Sequence, residues 1–357
     1  MAGASRSTST SRATTCGSPA RSRVRGAPSR VSDVNPHVRV VIVGDVFDDI
    51  IVRPTSGIRT DTDTLASIER RAGGSAANTA AWLGSLGTLV DFVGRTNVSD
   101  TVRHENLLRD SGVTPHLAGE LVLPTGTIVV IVEANDTRTM LTEKGANVDT
   151  SPSDVTDRML AAATHLHFTG YTLFSGQPVD GFTDLVRRAK AQGVTVSVDP
   201  GSSGFIVDHG VTGFLRAVEG VDILFPNLDE GRELTGRTDA AGIVDALAEH
   251  FPFVALTLGR RGALVGAGTG VDALRIPISC VPAEPRDTTG AGDAFDAGFL
   301  AGLFDGLTAS DRPLAARGET LRGQLERAGT SGVAAATRAI GIVGARPGGV
   351  VPHNALG

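Results

Sequence analysis

From Val38 onward, short apolar runs alternate with Ala- and Leu-rich stretches of helical period, and Gly, Pro and Asp turns separate the two. The strand-like runs are VRVVIVGD (38–45), LVDFVG (89–94), HLHFTG (165–170), VTVSVDP (194–200), VDILFPN (221–227) and FVALTLG (253–259). The helix-like stretches are SAANTAAWLGSLG (75–87), VDGFTDLVRRAKAQG (179–193), DEGRELTG (229–236), DAAGIVDALAEH (239–250) and GAGDAFDAGFLAGLFDG (290–306). Strands that are apolar almost throughout must be buried on both faces. The pattern therefore predicts an α/β fold, a doubly wound and mostly parallel sheet flanked by helices. Residues 47–70 and 119–143 break the alternation, with Thr, Val and Ile spaced by polar residues. They predict a small separate sheet over one edge of the main one, a lid across the carboxyl ends of the strands where ligands bind in such folds. GAGTG (266–270) lies between β-like segments and predicts a hairpin turn. The stripe Phe295, Phe299 and Leu303 predicts core, and Trp82 predicts packing behind the 75–87 helix.

The 357 residues, 41% of them hydrophobic, suffice for one large domain or a domain with an inserted subdomain. Residues 1–36 do not share the pattern. They are dominated by Ser, Thr, Ala, Gly, Pro and Arg, with no acidic residue before Asp33, and predict a disordered leader ahead of one folded domain at 37–357. An Arg- and Ser-rich, acid-poor leader resembles an organelle transit peptide; a dispensable tail or the product of an upstream start codon is the plainer reading. A secretory signal is excluded by the lack of an apolar core in it. The leader holds six of the 33 basic residues, so from Asp33 on 27 basic residues face 39 acidic ones. A net charge of that sign disfavours nucleic acid as a partner. No run approaches the roughly 18–20 apolar residues that cross a bilayer. Cys16 and Cys280 make neither a disulfide framework nor a zinc site, and a reducing cytoplasm is the expected compartment. His165 and His167 share one side of a strand without a third ligand nearby, which predicts packing or hydrogen bonding rather than a metal. All but two of the basic residues are Arg; only Lys144 and Lys190 could serve a mechanism that needs a lysine.

The candidate chemistry centres on DTTGAGDAFDAGF, Asp287 to Phe299. A Gly-rich turn leads into a helix, placing Gly290, Ala291 and Gly292 at its N-terminus. Amides without an intrahelical partner and the positive end of the helix dipole make an anion site there. Asp293 is then either a favourable first-turn acid or a group with work to do beside the anion, such as a general base for an alcohol that receives a phosphoryl group. Two other nucleotide folds do not fit. Neither lysine follows a GxxxxG loop, which removes the P-loop NTPases, and the first strand ends in GDVFDD rather than the GxGxxG of a dinucleotide fold, which disfavours an NAD-dependent enzyme.

RAGGSAANTAAWLGSLG (71–87) resembles the N-terminal signature of the ribokinase/PfkB family of carbohydrate kinases, and DTTGAGDAFDAGF resembles its C-terminal signature. PNLDEGRELTG (226–236) resembles the family's Asn-x-x-Glu segment, and TLGRRGAL (257–264) its nucleotide-side strand and turn. The four stand in the family's order over residues 38–350. The resemblance implies that 37–357 is a ribokinase-like kinase domain. It implies ATP-dependent, Mg²⁺-requiring phosphorylation of a hydroxymethyl group of a sugar, as in a ribokinase or fructokinase. It implies that Asp293 is the base and that Gly290, Ala291 and Gly292 form the anion hole for the transferred phosphoryl. It implies that Asn227 and Glu230 organise Mg²⁺, largely through water, while a helix-capping role for them stands beside this. Thr257, Gly259 and Gly262 would border ATP, and Asp287 and Thr289 match positions that help bind K⁺ in ribokinase-like members.

On the acceptor side the resemblance points to Asp49, Gly73, Gly74, Asn78 and Asn147. Asp49 is placed at the end of the first strand, where a solvated charge is the other reading. Carboxylate and amide groups suit a polyol because they hold hydroxyls in fixed directions. Three departures stand out: GRTNVSD (94–100) has Asn97 where relatives have a second glycine, DPGSSG (199–204) replaces Asp-Pro-Arg or Asp-Pro-Asn, and Ser75-Ala76 replaces Lys-Gly. All three are expected to flank the substrate pocket and so to bear on which sugar is used. A nucleoside or pseudouridine kinase on the same scaffold and a non-catalytic sugar-binding regulator are the alternatives. The lid also offers an unpaired sheet edge, which a homodimer pairing lids would cover.

Overall fold

The computed structural model describes residues 35–132, 138–176, 179–280, 282–308, 311 and 314–348. Most of the expected leader, with Cys16, and the centre of the second lid segment lie outside the described residues. Asn35 and Pro36, assigned above to the leader, are described, and the Asn35 amide donates to the Leu307 carbonyl at 2.9 Å.

The described chain runs β1 (Arg39–Val43), β2 (Phe47–Pro54), β3 (Ala66–Gly73), α1 (Ser75–Ser85), β4 (Leu89–Asn97), α2 (Thr101–Arg109), β5 (Val113–Glu120), β6 (Gly126–Val132) and β7 (Arg138–Glu143). It continues with α3 (Asp157–Ala162), β8 (His165–Thr169), α4 (Gly170–Leu173), α5 (Val179–Ala191), β9 (Thr195–Asp199), α6 (Ser203–His209), α7 (Val211–Ala217), β10 (Ile223–Leu224) and α8 (Leu228–Thr235). It ends with α9 (Ala240–Leu247), β11 (Phe253–Thr257), β12 (Ala263–Ala267), β13 (Leu274–Ile278), α10 (Ala291–Phe304) and α11 (Gly318–Ile340). A nine-stranded sheet has the order β13-β12-β11-β10-β9-β8-β1-β4-β5 and is parallel except where β12 and β13 fold back as a hairpin. The alternation of the strands sorts the core into two layers. Val40 and Ile42 of β1 and Ala255 of β11 join the cluster under α1, α10 and α11, whereas Val41, Val43, Val254 and Leu256 join the one under α5 and α9. Both faces are thereby buried, as the apolar runs require.

The lid is a second sheet of four strands, β3-β2-β6-β7. Its second segment starts later than the pattern indicated, because Gly119 and Glu120 belong to β5 at the edge of the main sheet. Two expectations need correction here. Asp49 is not at the end of β1, which stops at Val43; it lies on β2, in the lid. Asn97 lines neither of the cavities described below: its amide donates to the Leu123 carbonyl and accepts from Ser99, tying down the loop ahead of β6. The two strand histidines behave as expected, with His165 bonded to Thr195 and Ser197 and His167 to Ser197, and burial holding His167 down to about 3. Trp82 is buried and donates its indole N–H to the Ala345 carbonyl at 2.8 Å. No helix among the described residues is long and apolar enough to cross a membrane.

Candidate active site

The carboxyl ends of the parallel strands face the inner surface of the lid across a cavity of about 680 Å³. Period-two alternation selects what the lid presents: Phe47 and Asp49 from β2, Ile128 and Val130 from β6, and Arg138, Met140 and Thr142 from β7. A second cavity of about 590 Å³ lies beyond, among Gly259, Gly262, Pro285, Val333, Ala336 and Ile340. Thr257, Thr288, Ala291 and Gly292 line both. The N-terminal turn of α10 is therefore the wall through which the two cavities meet.

Gly290 makes that turn with a left-handed backbone, φ 75°, and a Cβ there would stand 2.7 Å from the Ala345 carbonyl oxygen. Gly292 is the opposite case, with nothing within 4 Å of the space a side chain would enter. Asp293, in the first turn of α10, is gripped from the first turn of α1. The Ser75 hydroxyl donates to its Oδ1 at 2.7 Å and the Asn78 amide to its Oδ2 at 2.9 Å. The start of α1 is itself fixed by Asp45, whose carboxylate accepts from the Ser75 and Ala76 amides at 2.7 and 3.2 Å. Gly74, with φ 97°, allows this because a Cβ would lie 2.4 Å from the Asp45 carbonyl oxygen. Burial pushes the Asp293 carboxyl up to about 7 against the pull of Ser75 and Asn78, with the Asp199 and Asp45 carboxylates adding to the rise.

Further carboxyls crowd the same cavity. Burial raises Glu230 to about 8 and Asp199 to about 6, and it drives Asp296, hydrogen-bonded to Asp199, well above the usual carboxylate range. Asn227 and Glu230 form a reciprocal cap on α8: the Asn227 side chain accepts from the amides of Asp229 and Glu230, and the Glu230 carboxylate accepts from the Asn227 amide at 2.8 Å. A desolvated acid cluster with an unpartnered Asp296 oxygen has the hard oxygen donors that suit a divalent cation. Among the described residues no three His, Cys, Asp or Glu side chains gather closely enough to hold a metal unaided.

The remaining expected residues are brought to the same place in different ways. Thr257, Gly259 and Gly262 line the second cavity. Gly73 is a glycine because the Asp49 carboxylate would come within 2.3 Å of a Cβ there, and burial raises Asp49 to about 6 despite the Arg346 guanidinium. Asn147 lines the first cavity, yet its amide is committed to backbone: it accepts from the Val46 amide and donates to the carbonyls of Val46 and Lys144. That leaves one lone pair of its oxygen for a ligand. Lys144 reaches the cavity and donates to the Phe174 carbonyl at 2.7 Å, whereas Lys190 pairs with Asp222 on the far side of α5. Asp287 and Thr289 are engaged by Arg138 from the lid. Sequence reasoning missed Asp45, Arg138, Asp296 and the buried Arg346, which donates to Asn78 Oδ1 at 3.0 Å and to the Gly73 carbonyl at 2.6 Å. Only Asp45 carried a local signal, an acid directly after an apolar strand.

An acid at a helix N-terminus, on the wall between two cavities large enough for an acceptor and a nucleotide, defines a phosphotransferase with an alcohol group as acceptor. The chain belongs to the pfkB family of carbohydrate kinases, whose sequence model matches residues 38–349. It is 30% identical, over 74% of its length and 84% of the relative's, to the ATP-dependent ribose-1-phosphate kinase of Halopiger xanaduensis. Its fold matches a probable sugar kinase of Rhizobium etli (TM-score 0.72) and the adenosine kinase of Sinorhizobium meliloti (TM-score 0.71), each 26% identical and each alignment covering 88% of this chain and 96% of the other. The protein is an ATP-using sugar or nucleoside kinase with a ribokinase-like fold.

Proposed function

We propose that the protein transfers the γ-phosphoryl group of ATP to a hydroxymethyl group of an unphosphorylated sugar, with Asp293 as the base. The observation that carries this reading is the position of the α10 N-terminus between the two cavities. The acceptor occupies the cavity under the lid, ATP extends from the second cavity, and the phosphoryl group crosses at Gly290, Ala291 and Gly292. The first-turn amides face the oxygens of that group and stabilise the charge that builds on them in the transition state. Asp293, held by Ser75 and Asn78, accepts the hydroxyl proton as the new bond forms; a carboxyl near 7 holds a proton well enough to take it and releases it at neutral pH. Asp49 and Asn78 orient the acceptor's hydroxyls, and the lid excludes water that would otherwise take the phosphoryl group. Mg²⁺ bound with ATP would supply charge neutralisation for the phosphates, and Asn227 and Glu230 would hold it through water. An acceptor that already carries a phosphate fits less well, because Asp45, Asp49, Asp199 and Glu230 line its cavity while Arg138 and Lys144 are both engaged by the protein.

A second reading, a nucleoside as acceptor, is favoured by the apolar part of the roof. Ile128, Val130 and Met140 would cover a base better than they would cover hydroxyls. A panel of sugars, sugar phosphates and nucleosides, assayed for ATP consumption and with the product's phosphate located by NMR, decides between them. Turnover of a free sugar at its hydroxymethyl group is the expected result; exclusive turnover of nucleosides or of sugar phosphates overturns the sugar reading. A cytoplasmic setting, where ATP is at hand, belongs to the same reading.

A further inference from the structure

Asp287 and Thr289 stand immediately before the Gly290–Gly292 turn, and the family resemblance marks them for K⁺. In this chain a guanidinium takes that place. Arg138, at the start of lid strand β7, donates from Nη2 to Asp287 Oδ1 at 3.0 Å and from Nη1 to Thr289 Oγ1 at 2.8 Å. Asp287 accepts further bonds from the protein. Oδ1 also accepts from the Thr289 amide and hydroxyl at 3.0 and 2.8 Å, and Oδ2 accepts from the Gly344 amide at 3.0 Å. Asp287 is buried, and every bond it takes is one that a carboxylate accepts, so a negative charge sits there. That charge lies close ahead of a turn that must attract a phosphoryl group, and something positive has to cancel it. With two prongs of the fork on Asp287 and Thr289, the guanidinium takes the space that Asp287 Oδ1 and Thr289 Oγ1 share. The Asp287 and Thr289 side chains therefore do not fit K⁺ while Arg138 is in place.

We infer that Arg138 is a built-in replacement for the monovalent cation. It neutralises Asp287, holds the turn in register for the anion hole, and makes the presence of the lid strand a condition for that hole to be charged. Arg138 is a positioning residue, acting on the phosphoryl group through Asp287 and the turn. The inference rests on the phosphoryl-transfer reading of the α10 N-terminus, but half of its test does not depend on turnover.

The test compares wild type with Arg138→Ala and Arg138→Lys, in choline chloride and in KCl at one ionic strength. In thermal melts without substrate, the wild-type Tm should be the same in both salts, and the Arg138→Ala Tm should rise saturably as KCl replaces choline chloride. In turnover, the wild type should be indifferent to the salt. Arg138→Ala in choline chloride should lose about tenfold to a hundredfold in kcat, with a smaller change in acceptor KM, and should regain rate with KCl or millimolar guanidinium. Arg138→Lys, which keeps the charge on one prong, should be intermediate and salt-indifferent. A wild-type Tm or rate that needs K⁺ overturns the inference, as does an Arg138→Ala variant whose losses neither cation repairs. If no acceptor is turned over at all, the phosphoryl-transfer reading fails, while the melts still decide whether Arg138 fills a cation's place.

Discussion

Replacing Asp293 with Asn tests the centre of the mechanism, because rate and stability should move in opposite directions. The amide keeps the shape of the carboxyl and an oxygen to accept from Ser75, so α1 and α10 stay joined. It cannot take a proton, and loss of a general base costs about 10² to 10⁴ in kcat with little effect on nucleotide binding. For stability, the wild-type carboxyl has been raised from 3.8 to about 7 in the folded chain, chiefly by desolvation. A raised carboxyl binds its proton more tightly folded than unfolded. Its contribution is thus fully present below the unfolded value of about 4 and is lost as pH rises through about 7. A rise of that size corresponds to at most about 4 kcal/mol. The side chain is partly open to the cavity, so about half of that, ~2 kcal/mol, is the better figure after screening. Asn relieves this above pH 7 but gives up one accepted hydrogen bond, worth about 1 kcal/mol. The net gain of ~1 kcal/mol corresponds to a Tm about 1 to 2 °C above wild type at about pH 8, disappearing or reversing at about pH 5. Scanning calorimetry at the two pH values, with steady-state ATP consumption, reads both effects. Near-wild-type kcat in Asp293→Asn refutes the base assignment, and a Tm difference that ignores pH refutes the desolvated carboxyl.

Two other expectations follow from the same site. The wild-type kcat/KM should climb through about pH 7 as Asp293 loses its proton, and a profile flat between about pH 5 and 8 would contradict that. The two glycines of the turn should fail differently. Gly290→Ala forces a left-handed residue, about 1 to 2 kcal/mol in backbone strain, and drives its methyl into Ala345, so both Tm and activity fall. Gly292→Ala meets no atom within 4 Å. It should fold as well as wild type, yet lose activity because its methyl stands in the wall shared by the cavities; an active Gly292→Ala enzyme would place the phosphoryl group elsewhere.

The α/β class was legible because parallel strands buried on both faces leave near-continuous apolar runs, which Val38–Val43 and Phe253–Thr257 supply. α11 was not legible. Its 23 residues are rich in Gly, Ala and Thr, and its stability comes from contact rather than propensity: at Gly298 and Gly302 on α10 a Cβ would collide with Ser331 of α11. β5 was hidden by Pro115, which is tolerated because β5 is an edge strand. Asp49 was assigned to the end of β1 although the lid segment read at 47–70 already contained it, and β2 is where it lies.

By itself the sequence determined the local chemistry. Gly290 to Asp293 form a helix start that collects an acid and a glycine turn within four residues, and Asn227 and Glu230 form a cap by their spacing alone. Tertiary structure decided what that chemistry experiences. It brought Ser75 and Asn78 onto Asp293 across more than 200 residues and set Arg138 on Asp287 across 149. It also clamped Asn147, on the wall of the first cavity, to the backbone at Val46. The physical reason is that a residue's type and its immediate neighbours fix which groups can donate, accept or ionise. Desolvation and long-range pairing, which fix whether they do, exist only once distant segments share one cavity.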